Sequence, residues 1–229
     1  MKVVPMIFNT DMVKALMAGD KVVTRRPVSP RPEASGFGYD WWPSKKFSSM
    51  VQISGFEEID CDYKRDFVEE IVRDACPIAN IGDIIYVRET FRLFNHSDEC
   101  GCSDYCSCPP SGTPVYFATC GGDSESKWKP SIHMPRSASR LTLKVTDVRI
   151  ERVQCITEEQ AIKEGVNKHH QLPAFKSPIG YHTSPVYAFE ELWNSIYGNW
   201  EENPYVWVIE FEVIHQNADK YIDSIKGAA

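Results

Sequence analysis

The chain has 229 residues, 42% of them apolar and 12% aromatic, and a formal net charge of −7. That length suits one large domain or one domain with insertions, and the apolar content excludes a disordered chain. The acidic balance argues against a protein that coats nucleic acid regardless of sequence, because such binding comes from neutralised phosphates. No apolar run approaches the roughly 18 residues of a membrane span, and Met1-Lys2-Val3-Val4-Pro5 lacks the features of a signal peptide. A cytoplasmic protein with no membrane partner is expected.

Val3 to Phe8 reads as a buried strand. Thr10 then caps a helix in which Val13, Leu16 and Met17 form an apolar stripe and Gly19 ends the run. Lys21-Val22-Val23-Thr24 follows, with Arg25 and Arg26 beside it. A hydroxyl becomes a useful nucleophile when a nearby base takes its proton, and a desolvated lysine can be that base. Positions i and i+3 of a straight strand face opposite sides, so Lys21 and Thr24 share a pocket only if the segment turns or bulges. Gly19-Asp20 and Pro27 are suitable punctuation. The bland alternative is a solvated loop lysine and an ordinary strand threonine.

Val28 to Lys46, rich in Pro, Ser and Gly, reads as a loop with Tyr39, Trp41 and Trp42 as packing anchors. Phe47 to Ile53 reads as a strand and Phe67 to Ala75 as a short helix. Gly82-Asp83 turns into a strand over Ile84 to Phe91. Glu89, on that strand beside Arg88, is either a second carboxylate at the site or a salt-bridge partner. Val115 to Thr119 reads as a strand, and Leu141 to Val153 alternates as a long one. Thr157-Glu158-Glu159-Gln160 has the form of a capping box, opening a helix that runs through Glu164 and closes at Gly165. His169 to Thr183 reads as a loop. Ser184-Pro185 opens a helix with Phe189, Leu192, Trp193 and Ile196 inward. Tyr205 to Val213 is the last strand, and the chain beyond His215 reads as a terminal helix or frayed tail. Strands dominate without regular strand–helix alternation. The fold class expected is α+β, a small mixed β barrel with short crossover helices, rather than a doubly wound sheet.

The chain has eight cysteines, and four of them lie in Cys100-x-Cys102-x3-Cys106-x-Cys108. Thiolates suit a tetrahedral zinc, with His96 or a distant group as a substitute ligand, and four such ligands leave no open catalytic position. Disulfides or free thiols are the alternatives, and disulfides are less suited than a structural metal to a cytosolic chain. The role expected of the metal is to staple an insertion. Lys127 to Lys144 carries Lys129, Arg136 and Arg140 and no acid, a solvated face or a local anion site. His133 and Arg136 there can hold a phosphate or read a base edge. Trp128 and Trp42 either stack on a base or pack in the core.

Gly19-x-Lys21-x-x-Thr24-x-Arg26 resembles the signature of the ASCH domains, a branch of the PUA-like fold. Gly82-Asp83 before an aliphatic strand, the Ile156–Val166 block and Pro204–Phe211 resemble the family's later elements in order and spacing. Trp128-Lys129-Pro130-Ser131-Ile132-His133-Met134-Pro135-Arg136 resembles the larger prophage-borne members. The resemblance spans about half the chain. It implies a PUA-like barrel over residues 1–216, with insertions at about 28–79 and 92–140 and a tail at 217–229. It further implies a cleft for a nucleoside, nucleotide or single-stranded RNA. Small members similar to this chain remove the acetyl group from N4-acetylcytidine with a lysine, a threonine and a glutamate. Those roles fall on Lys21, Thr24 and Glu164, with Arg25, Arg26, Glu89, Lys129, Ser131, His133 and Arg136 as substrate-binding candidates. Competing expectations are a non-catalytic RNA or nucleotide reader and a phage–host interaction protein.

Overall fold

The structure, a computed structural model, describes residues 1–36, 38–55, 62–102, 106–121, 127–166 and 173–227. In chain order its strands and helices are β1 (Val3–Ile7), α1 (Thr10–Ala18), β2 (Val23–Pro27), β3 (Glu33–Ala34), β4 (Asp40–Ser44), β5 (Ser49–Gln52), α2 (Asp62–Ala75), β6 (Ile84–Arg88), β7 (Phe91–Leu93), α3 (His96–Glu99), β8 (Pro114–Tyr116), α4 (Phe117–Cys120), β9 (Thr142–Arg152), α5 (Glu158–Lys163), β10 (Phe175–Lys176), β11 (Tyr181–His182), α6 (Pro185–Ile196), β12 (Tyr205–Ile214) and α7 (Ala218–Gly227). The fold is mixed α+β. The start of the loop expected from His169 and the last two residues of the expected tail lie outside the described residues.

A five-stranded sheet in the order β1-β6-β9-β12-β2 is the frame. β1 and β6 run parallel, and the other neighbours are antiparallel. β12 is apolar without a break from Tyr205 to Ile209 and alternates with Glu210 and Glu212 beyond. Tyr205, Trp207, Ile209 and Phe211 enter one core cluster with Phe8, Leu16, Ile85 and Leu143. Val206 and Val208 enter a second with Val23, Ala161, Phe189 and Trp193. Both faces of the strand are buried, the condition that produces unbroken apolar runs. Among the described residues no pairing joins β1 to β2, so the ladder does not close into a barrel. The two edges do meet through a side chain: Arg26 Nη2, on β2, donates to the carbonyl of Ile7 at the end of β1, at 2.9 Å.

Several elements differ from expectation. Asn9, not Thr10, caps α1, its side chain accepting from Met12 N. The expected loop over Val28–Lys46 contains β3 and β4. The prolines obscure this pattern, yet Pro43 lies beyond the end of β3, where its missing N–H breaks no ladder. The strand expected through Phe91 breaks after Arg88, and Phe91 starts β7, which pairs with β8 in a separate sheet. β8 stops at Tyr116 and α4 takes over the rest of the segment expected as strand. The loop expected up to Thr183 holds the two-residue pair β10 and β11. On α6, Phe189 and Trp193 face inward, while Ile196 is 43% exposed.

The chain after residue 216 is a docked helix rather than a frayed end. Ala218 and Ile222 are buried. Asn217 Nδ2 donates to the carbonyls of Arg136 (2.9 Å) and Ser139 (2.8 Å), and Arg136 pairs with Asp219.

Trp42, only 2% exposed, packs edge-on against Trp207 at 5.6 Å between ring centroids and carries the β4–β5 hairpin into the main core. It is therefore a core residue and not a base-stacking platform. Trp42→Ala is expected to cost about 3–5 kcal/mol, as buried aromatic truncations do, measured by denaturant unfolding; a loss below about 1 kcal/mol would show that the hairpin is not part of the cooperative core.

Candidate active site and metal centre

The junction between α1 and β2 builds the candidate active site. Gly19 ends α1 in the left-handed region, with φ 79°. The next two amides fold back, Asp20 N and Lys21 N both donating to Ala15 O. The chain then changes partners. Lys21 bridges antiparallel to Glu164, Val22 N donates to Lys163 O, and from Val23 onward the segment pairs with β12. The register of β12 against β9 shifts between Glu210 and Phe211, where Phe211 N reaches Val22 O. The turn thus precedes Lys21 and the irregularity lies in β12, and the segment does not bring Lys21 and Thr24 into one pocket.

Glu164 follows α5 and faces this junction because of two local features. The capping box of Thr157 and Gln160 starts the helix. Gly165 lets the chain leave it with φ +88°, and a Cβ there would lie 2.8 Å from Ala15 Cβ and 3.0 Å from Lys21 Cβ. Only glycine fits both the conformation and the close approach.

Lys21, Glu164 and Arg25 form a buried charge cluster. Lys21 is 0% exposed, and its Nζ donates to Glu164 Oε2 at 2.6 Å and to the Glu164 carbonyl at 2.8 Å. The ammonium thus pairs with a carboxylate and satisfies a carbonyl at the negative end of a helix. Arg25 Nη1 donates to Glu164 Oε1 at 3.3 Å, and Nη2 donates to Gln160 Oε1 at 2.8 Å and Glu151 Oε2 at 3.1 Å. Gln160 therefore closes the capping box and holds Arg25 with one amide oxygen. Glu151 continues to Arg149, which also binds Asp147 and Glu210, so charge pairing runs from the buried lysine to the surface. Burial pushes the Lys21 ammonium below the ordinary lysine range, opposed by attraction to Glu164 and helped by Arg26 and Arg25.

Thr24 is buried on β2 and lines a recess with Glu164, Arg25, Arg26, Met12, Leu192 and Tyr197, among others. Its hydroxyl hydrogen-bonds no described residue, whereas the Lys21 amine is committed to Glu164. Lys21 does not itself line the recess, whereas Glu164, its ion-pair partner, does. The recess measures about 20 Å³, room for about one water, whereas ligand pockets run to about 300–1,000 Å³. Arg26 closes one side, its Nη1 donating to Tyr197 Oη at 3.2 Å and its Cζ lying 5.5 Å from the Phe8 ring centroid.

The other candidate residues lie outside this cluster. Glu89 is buried and held in a two-point pair by Arg140, Nε to Oε1 at 2.8 Å and Nη2 to Oε2 at 2.9 Å, rather than by its neighbour Arg88. Arg136 is engaged by Asp219. Trp128 packs edge-on against Phe117, with the Arg92 guanidinium 5.3 Å from its ring centroid. Ser131 and His133 form one 3-10 turn, and Lys129 is bridged through its backbone to Phe91. Gln160, Glu151 and Arg149 are the members of the network that sequence reading missed. Their signal was present: Asp147, Arg149 and Glu151 recur at period two on one strand face, and Gln160 was already placed by the capping box.

The Cys-rich loop is the second chemical centre. The Sγ atoms of Cys100, Cys102, Cys106 and Cys108 all lie within 4.8 Å of one another. Cys100–Cys106 is 3.1 Å and Cys102–Cys108 is 3.8 Å. A tetrahedron of thiolates about 2.3 Å from a metal has edges of about 3.8 Å, so these donors fit one ion. The seven described cysteines are all free, and the disulfide alternative does not hold for them. His96 Nε2 lies 3.3 Å from Cys106 Sγ. The hydrogen bond from Cys100, then those from the Cys108 amide and His96, pull the Cys106 thiol down to about 6, while hydrogen bonding with Cys106 pushes Cys108 up to about 12. Neighbouring thiols cannot all ionise unaided; a divalent cation removes that conflict. No described residue from Cys100 to Pro110 is buried. These described residues form no apolar core of their own, and a metal held by the four thiolates would supply the cohesion that a core would.

Comparison of the chain with family models, with curated proteins and with solved structures finds no match. Among the described residues no helix is long and apolar enough to cross a membrane.

The buried lysine makes stability depend on alkaline pH. The unfolded chain holds the Lys21 proton more tightly than the folded one does, so stability rises with pH between the lowered folded pKa and the unfolded value of about 10.5. Lys21→Met is expected to flatten that rise in unfolding curves taken across the window; an unchanged slope would place the lysine in solvent. Metal removal gives a separate test. Treating the purified protein with a chelator is expected to lower its Tm, with recovery on adding zinc and no response in Cys106→Ser. A chelator-insensitive Tm together with no bound metal by elemental analysis would overturn the metal site.

Proposed function

We propose that this chain is an ASCH-type protein of the PUA-like class whose Thr24 recess hydrolyses the amide of an N4-acylated cytidine. The observation that supports this reading most is the buried Lys21–Glu164 pair beside a threonine hydroxyl that has no hydrogen-bond partner among the described residues. A buried ion pair is costly to form and is weak evidence for stability alone, and the carboxylate of this pair lines the recess together with the hydroxyl.

In this reading Thr24 Oγ1 attacks the acyl carbonyl. Its proton passes to the Lys21–Glu164 pair, through the Glu164 carboxylate that faces the recess, and then to the leaving N4 amine as the C–N bond breaks. Water cleaves the acyl-threonine and releases the carboxylic acid. Arg25 holds Glu164 in place, and Arg26, tied to Tyr197, borders the entrance. A recess of about 20 Å³ does not admit a nucleoside, so substrate entry displaces the wall formed by Leu192, Ile196 and Tyr197. The open-ended sheet stands in this reading as a PUA-like barrel whose β1 and β2 edges are joined by Arg26. The metal in the four-cysteine site is a structural zinc, since four thiolates leave no open position.

The test is turnover of N4-acetylcytidine followed by chromatography of cytidine. Wild type is expected to release cytidine, and Thr24→Ala, Lys21→Ala and Glu164→Gln each to lose at least about 100-fold, the usual scale for a positioned acid–base group. Full activity in Thr24→Ala would falsify the nucleophile assignment. Salt-sensitive binding of the nucleoside or of single-stranded RNA without turnover would replace the enzyme with a reader of the same ligands.

A further inference from the structure

A second and larger pocket lies away from Thr24. It has a volume of about 540 Å³ and is lined by Phe91, Leu93, Lys129, His133 and Pro135. It shares no lining residue with the Thr24 recess. We propose that this pocket binds a nucleoside monophosphate, with Lys129 and His133 holding the phosphate and the base lying against the apolar wall of β7 and Pro135.

The first support is size. Small-molecule sites run to about 300–1,000 Å³, and this pocket falls inside that range while the Thr24 recess does not. The second is charge. Lys127 to Lys144 carries no acid, yet its arginines are spent internally: Arg136 on Asp219 and Arg140 on Glu89. Lys129 and His133 make no ion pair or side-chain hydrogen bond among the described residues. They are the polar groups that line the pocket. The third is rigidity. Lys129 is fixed on both sides of its backbone, its N donating to Phe91 O at 2.8 Å and its O accepting from Phe91 N at 3.2 Å. His133 closes a 3-10 turn through Pro130 O at 3.0 Å. The backbone that carries these two exposed side chains is thus fixed, so the frame of the pocket need not be ordered on binding.

The apolar share of the lining decides the ligand class. Leu93, 43% exposed, and the exposed Pro135 supply the accessible apolar surface, and Phe91, only 2% exposed, backs them from a small core cluster with Met134 and Ala138. Such a wall has nothing to offer an inorganic anion and suits a flat ring. Two donors match one phosphomonoester, and a chain of net charge −7 is poorly suited to a long strand. The binding does not rest on the hydrolase reading, because the two sites have separate residues.

The experiment is a titration of the full, metal-loaded chain, followed by calorimetry and by amide chemical shifts. The probes are CMP, cytidine, inorganic phosphate and a 5′-phosphorylated trinucleotide. CMP is expected to bind saturably and perturb Leu93, Lys129 and His133. Cytidine and phosphate alone are each expected to bind at least about tenfold more weakly. Lys129→Ala and His133→Ala are each expected to weaken CMP about tenfold or more while leaving the unfolding curve unchanged. Phosphate binding as tightly as CMP, CMP shifts centred on Thr24 and Glu164, or CMP affinity indifferent to both substitutions overturns the proposal. A trinucleotide that binds more tightly than CMP moves the ligand to a strand end and overturns the free nucleotide.

Discussion

The ion pair between Lys21 and Glu164 is the contact on which the architecture around the recess depends. It joins the α1–β2 junction to the end of α5 across 143 positions of sequence, and it does so out of water. A lone charge there would carry a desolvation penalty of several kcal/mol, so each partner is tolerable only with the other in place. The surrounding structure is arranged to keep them together. Gly165 allows the close approach, the backbone bridge between Lys21 and Glu164 sets the register, and Arg25 occupies the second carboxylate oxygen. The outer ring of Gln160, Glu151 and Arg149 then orders Arg25 in turn. Removing one member leaves a buried charge facing apolar neighbours such as Phe189.

The same pair divides labour at the recess. The lysine is withdrawn from the open space and the carboxylate is presented to it, beside a threonine hydroxyl. Desolvation lowers the lysine, and the carboxylate and hydroxyl share the wall of a space of one water's size. The two segments at 28–79 and 92–140 do not cover this recess with described residues. One supplies the β4–β5 hairpin that packs Trp42 on Trp207. The other carries the four-cysteine site and the pocket of Lys129 and His133. Chemistry-bearing features are thus spread over separate lobes hung on one sheet.

Much of the frame was readable along the chain because its signals are local. The caps of α5 and α6, the alternation of β9 and the buried run of β12 each rest on residues within one element. The cysteine spacing likewise placed four donors close together before any fold was known. The β4 strand was hidden because prolines and small residues mark loops on average, and only its pairing beyond the end of β3 makes Pro43 harmless. The docking of α7 was hidden because a ten-residue amphipathic helix looks the same whether it finds a partner or not.

The candidate site shows where local reading ends. Sequence alone determined which residues carry useful chemistry: an amine, a hydroxyl and a carboxylate in blocks of suitable order, and a tetrad of thiols. Tertiary structure decided how they are used. It committed Lys21 to Glu164 rather than to Thr24, spent Arg25, Arg136 and Glu89 on internal pairs, and left the side chains of Lys129 and His133 without a partner among the described residues. The reason is physical. A side chain's type sets what it can bond, but burial and the position of a partner more than a hundred residues away set which bond it makes.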